Sequence, residues 1–145
     1  MASVVTRLAL ALAFGALPAS ALVPAYRAER MTELQNSGRV VLVYFTSQTC
    51  TLCRQQEETL ERLQQGGGRT APAILSADFD AEPGLRRGWG VTTPGTLVLL
   101  RAGVYVDKAT GLVSEDDIRQ FVRDGVSRSR GRPKARAPRP VRPKR

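Results

Sequence analysis

Residues 41–53 read VLVYFTSQTCTLC. With Arg39 and Val40 before them, the first five of these residues form an apolar, β-branched and aromatic run of strand length, with no alternation of polar and apolar positions. A strand that is apolar at every position is buried on both faces, and that requires helices on each side of its sheet. The run ends near Thr46, and Cys50 and Cys53, the only two cysteines of the chain, follow closely.

Beyond the pair, the spacing predicts a helix from Cys50 to about Gln65. Cys53, Leu60 and Leu63 lie along one face, Arg54, Glu57, Glu58, Glu61 and Arg62 largely on the other, and Gly66, Gly67 and Gly68 end it. At a helix N-terminus the unpaired N–H groups and the macrodipole favour negative charge, so the thiolate of Cys50 is stabilised there. Cys50 is the expected nucleophile. Cys53, one turn further in and better buried, is placed to resolve a mixed disulfide. The pair alone would also suit a structural clip, a Cu(I) site or inert thiols. A clip across so short a loop constrains the unfolded chain little, and no Met or His stands nearby to support copper.

The flanking sequence fills in the rest of the sheet. Residues 28–37 predict a short helix with Met31 and Leu34 on its apolar face, stopped by Gly38. Residues 73–79 predict a second strand, and Glu82 to Trp89 a short helix set apart by Pro83 and Gly90. GTLVLLRAG turns at Ala102 and Gly103 into VYVDKAT, which reads as a hairpin. Ser114 is an N-cap with Asp117 three residues on, and Ile118, Phe121 and Val122 give the last helix its apolar face. After a leading helix the order is β-α-β-α-β-β-α, an α/β fold with one mixed sheet covered on both faces.

Composition narrows the chemistry. There is no histidine, so Ser-His-Asp and Cys-His sites and histidine-ligated metal centres cannot be built. The 145 residues, 42% of them hydrophobic, suit one domain with a real core. Residues 1–21 have Arg7, an apolar run from Leu8 to Leu17, Pro18 and the small residues Ala19, Ser20 and Ala21, the layout of a signal peptide cleaved after Ala21; an uncleaved membrane anchor is the alternative. Export carries a cysteine pair to compartments where disulfides persist, with the bacterial periplasm or cell envelope as the expected location. The domain is expected over residues 22–127. Residues 128–145 contain nine Lys or Arg and no acid, which accounts for the formal net charge of +9, and their Pro, Arg and Lys content predicts a disordered tail.

Three stretches carry a family resemblance. VLVYFTSQTCTLC resembles the strand and active-site loop of the thioredoxin superfamily, WGVTTPGTLVLLRAG resembles its cis-proline loop and closing hairpin, and GLVSEDDIRQFV resembles its last glycine and helix. The likeness spans roughly residues 26–126. It implies thiol-disulfide exchange, with Cys50 attacking and Cys53 resolving, no bound cofactor and no metal. It also implies that the proline loop meets the substrate, which makes Thr93 and Pro94 candidate substrate-binding residues. Trp89 is a candidate substrate-facing aromatic or a core residue. Aligned without gaps, Gly95 falls where the family proline belongs and Pro94 one place early; a compensating shift gives the role to Pro94, the reading preferred because cis bonds are essentially a proline phenomenon.

The sequence departs from the family elsewhere as well. Tyr44 stands where many members have a buried aspartate; it is expected either to hydrogen-bond near Cys53 or merely to pack, with packing preferred. Thr49 replaces a tryptophan, Thr51 and Leu52 replace Gly-Pro, and no histidine lies between the cysteines. The pattern resembles a specialised exported relative more than a general thioredoxin.

The expected function is thus an exported, monomeric thiol-disulfide oxidoreductase acting on protein or small-molecule thiols. The alternatives are a non-catalytic binding or scaffold module and a Cu(I) carrier. The basic tail is expected to meet anionic lipid or an acidic envelope polymer, with salt screening the contact. Nucleic acid is not an expected partner outside the cytoplasm.

Overall fold

The computed structural model describes residues 23–68 and 71–130. The signal-peptide stretch and the tail beyond Arg130 lie outside the described residues. Eight elements follow one another: α1 (Ala28–Asn36), β1 (Val40–Thr46), α2 (Thr51–Gly66), β2 (Ala73–Asp78), α3 (Pro83–Trp89), β3 (Thr96–Arg101), β4 (Val104–Thr110) and α4 (Glu115–Arg130). This is the expected order.

The sheet runs β2-β1-β3-β4. β1 pairs in parallel with β2 and antiparallel with β3, which returns through a tight turn to antiparallel β4. Ala102 and Gly103 form that turn with φ of 46° and 78°, the left-handed pair that matches the twist of a two-residue hairpin. Between Leu99 and Leu100 the β3–β4 register shifts.

Because β1 is central, both faces of its apolar run find partners. Leu42 and Tyr44 point to one side, with Ile74, Leu97 and Leu99, where α2 supplies Cys53, Leu60 and Leu63 and α4 supplies Ile118. Val41, Val43 and Phe45 point to the other, with Leu75, Val98 and Leu100, where α1 supplies Met31 and Leu34. Burying each such large side chain stabilises by about 1.5–3 kcal/mol before entropy is counted, so this two-layered core dominates the stability of the domain.

α4 begins as expected. Ser114 Oγ accepts from the Asp117 N–H at 3.1 Å and donates to its carboxylate at 2.6 Å. Its end differs from expectation, for the helix continues to Arg130 and takes in residues assigned by sequence to the tail. Two contacts hold that last turn to the sheet: Arg101 donates to Ser129 Oγ at 3.1 Å, and Arg128 pairs with Asp107. The domain therefore extends past residue 127. Among the described residues, no helix is long and apolar enough to cross a membrane.

Candidate functional site

The site forms where β1 hands over to α2. The chain leaves the sheet at Thr46, and the Ser47 carbonyl accepts from the Cys50 N–H at 3.1 Å, which closes the loop and sets Cys50 at the start of the helix. Ser47 Oγ bonds Asp80 Oδ2 at 3.1 Å and lies 3.3 Å from Thr49 Oγ1, pinning the loop to the end of β2.

Cys50 is the N-cap of α2, in extended backbone, and its Sγ accepts from the Cys53 N–H at 3.1 Å. A sulfur thus stands where a capping oxygen ordinarily does. Cys50 and Cys53 are joined by a disulfide. The two sulfurs differ in setting, since Cys50 is partly exposed and Cys53 is 1% exposed within the core. The exposed member sits at the positive end of the helix, where N–H groups and dipole favour negative charge. Beside the pair, Leu52 is the one large hydrophobic side chain exposed among the described residues, at 37%. It gives the rim of the site an apolar surface.

Beneath the disulfide, Tyr44 meets both expectations. It packs, fully buried, and its hydroxyl also donates to the Cys53 carbonyl at 2.6 Å. Burial, chiefly, pushes the phenol up to about 12, so Tyr44 is a neutral donor throughout the physiological range.

The loop from Val91 to Gly95 forms the other wall. Thr93 is exposed and its carbonyl accepts from Thr96 Oγ1 at 2.8 Å; Pro94 is half-buried. Every described peptide bond is trans, the Thr93–Pro94 bond included. Gly95 in this loop backs onto the pair: a β-carbon there would lie 3.2 Å from Leu52 Cδ2 and 3.9 Å from Cys53 Sγ. Its N–H donates to the Phe45 carbonyl at 2.7 Å and its carbonyl accepts from Gly111, so β1 and the segment after β4 both hold it.

Trp89 is not brought to the disulfide. Its ring meets Phe45 and Tyr26 edge-on, at centroid distances of 6.1 and 6.4 Å, on the sheet face opposite Tyr44 and Cys53. It packs, partly buried, against the core on that face, because Phe45 points away from α2.

Sequence reasoning passed over Gln56. It is fully buried, and Nε2 donates to the carbonyls of Gly95 at 3.0 Å and Leu112 at 2.7 Å, joining α2 to two loops. The one signal available was spacing, since Gln56 follows Cys53 by a single helical turn on the same face. Among the described residues, no three of His, Cys, Asp and Glu come together as a metal site.

Known proteins resemble this chain in sequence and fold. The thioredoxin family model matches residues 23–124. A thioredoxin from Chlamydia muridarum is 30% identical over 83 residues, which cover 57% of this chain and 79% of that protein. Among solved structures, Trxlp from Edwardsiella tarda EIB202 superposes with a TM-score of 0.63 at 27% identity, covering 69% of this chain and 97% of the other. A mutant thioredoxin from Halobacterium salinarum NRC-1 gives 0.61 at 28% identity, over 73% and 93% of the two chains.

Proposed function

The chain belongs to the thioredoxin family and is a thiol-disulfide oxidoreductase, and from that premise we propose that it works outside the cytoplasm, with Cys50 as attacking thiolate and Cys53 as resolving thiol. The observation that carries the assignment of roles is the N-cap geometry. The Cys50 sulfur accepts the Cys53 N–H at the exposed helix start, while the Cys53 sulfur is buried one turn below.

The reaction follows from that asymmetry. The Cys50 thiolate attacks one sulfur of a substrate disulfide, the substrate S–S bond breaks, and the departing sulfur leaves as a thiolate that takes a proton from water. Cys53 then gives up its proton and attacks Cys50 Sγ. The mixed disulfide breaks, the second substrate sulfur leaves, and the Cys50–Cys53 bond forms; the reverse sequence oxidises a substrate dithiol. Substrates in this reading are protein or small-molecule thiols and disulfides, met over the exposed Leu52 and the Thr93–Pro94 segment.

Export is supported by the leader pattern of residues 1–21, and the basic residues 131–145 support a salt-screened contact with anionic lipid or an acidic envelope polymer. The deciding experiment is trapping. A Cys53→Ser protein expressed with its leader should accumulate mixed disulfides in the extracytoplasmic fraction. Traps on Cys50→Ser alone would reverse the roles, and traps confined to the cytoplasm would remove export.

A further inference from the structure

The amide of Gln56 has only one possible orientation. Its nitrogen carries two hydrogens and its oxygen none, and two carbonyls, those of Gly95 and Leu112, lie at 3.0 and 2.7 Å from one end. That end is Nε2. The other atom, Oε1, is thereby fixed in place, buried and, among the described residues, without a hydrogen-bond donor. A buried acceptor with no partner forfeits its hydration and gains nothing in return.

The Cys53 sulfur borders the same space. A β-carbon placed on Gly95 would lie 3.3 Å from Gln56 Oε1 and 3.9 Å from Cys53 Sγ, so both atoms border the place that a side chain on Gly95 would fill. In the disulfide, Cys53 Sγ has no hydrogen to offer. Reduction supplies one.

We propose that Gln56 Oε1 accepts the hydrogen bond of the Cys53 thiol in the reduced enzyme, which makes Gln56 a positioning residue that keeps the resolving cysteine protonated until it attacks. Two substrate thiols become a disulfide and release two electrons and two protons. The Cys50–Cys53 bond takes up the electrons and breaks. One proton goes to Cys53 Sγ, where Oε1 receives its hydrogen bond, and the other goes to Cys50 or, if Cys50 stays a thiolate, to water.

Two consequences have definite signs. The unpaired oxygen burdens the oxidised form alone, so it shifts the equilibrium toward the dithiol. A carbonyl oxygen facing the sulfur favours thiol over thiolate, so it raises the pKa of Cys53 while the helix end lowers that of Cys50. The two cysteines are driven apart in acidity by two different devices.

The inference rests on the redox role of the pair, and its test reads the hydrogen bond without turnover. In a Cys50→Ser protein the S–H stretching band of Cys53 should lie below the free-thiol position, and adding Gln56→Met should return it there. In the intact pair, Gln56→Met should lower the equilibrium constant for reduction by glutathione about tenfold, or about 30 mV. The side-chain carbonyl carbon of Gln56 should also change its chemical shift when the otherwise native protein is reduced, a reading that survives if Gln56→Met does not fold. A Cys53 band at the free-thiol position, a lowered band that ignores Gln56→Met, or a Gln56 carbonyl signal blind to reduction would each overturn the proposal. Failure to trap substrate with these signals present would count against the proposed function alone.

Discussion

The hydroxyl of Tyr44 donates to the backbone carbonyl of Cys53 across 2.6 Å, tying the central strand to the first turn of the redox helix. A Tyr44→Phe protein keeps the ring and loses only this bond, leaving a buried carbonyl with one partner fewer. It should be less stable by about 1–2 kcal/mol in urea unfolding, with the fold intact. The same residue sets an alkaline limit. Its phenol ionises near 10 in the unfolded chain and at about 12 in the fold, so the fold holds its proton more tightly between those values. Stability is fully present below pH 10 and falls as pH rises toward 12, by about 2–3 kcal/mol in all. The fall should be smaller in Tyr44→Phe; equal losses in the two proteins would contradict the buried-donor role.

Cys50, as an N-cap, should be the reactive thiol of the reduced protein. Its pKa should lie below the ordinary value of about 8.5, and iodoacetamide at neutral pH should label it well before the buried Cys53. Timed alkylation followed by mass spectrometry checks this. Equal labelling of the two cysteines would remove the asymmetry on which their roles rest.

Local features of the sequence were the ones most plainly legible. The unbroken apolar run at Val41–Phe45 announced a strand buried on both faces because each of its side chains meets a core of its own. Ser114 announced the start of α4 because a cap and its partner are near neighbours in the chain. What stayed hidden depends on distant pairs. The acceptors of Gln56 stand 39 and 56 residues away, and no window around Cys53 contains them. The end of α4 was hidden for the same reason. Arg128, which read as part of a solvated tail, is held by Asp107, and the neighbouring Ser129 by Arg101, partners fixed only once the sheet has formed.

Gly125, buried in α4, lets the helix settle on β3. A β-carbon there would stand 2.3 Å from Leu99 Cδ2, inside a side chain that is itself fully buried. Gly125→Ala gains about 1 kcal/mol of helix propensity, but the overpacking should cost more, about 1–3 kcal/mol. The expected result is a net loss in the urea midpoint. A stabilised Gly125→Ala protein would mean that α4 moves freely on the sheet.

Gly95 combines two constraints at the site itself. Its φ is 78°, where an L side chain is strained, and its N–H is bonded to the Phe45 carbonyl at 2.7 Å, so the backbone cannot relax to a negative φ without breaking that bond. An alanine methyl would also press on Leu52 Cδ2 at 3.2 Å and Gln56 Oε1 at 3.3 Å. Leu52 is exposed and can yield, whereas Gln56 is held by two carbonyls and cannot. Gly95→Ala should therefore lose about 1–3 kcal/mol, with backbone strain the larger part. Adding Leu52→Ala to it should recover little of the loss, because Leu52 is the contact that already gives way. Urea unfolding of the single and double variants separates the cases: recovery of most of the loss by Leu52→Ala would place the constraint at the exposed rim rather than in the backbone and Gln56.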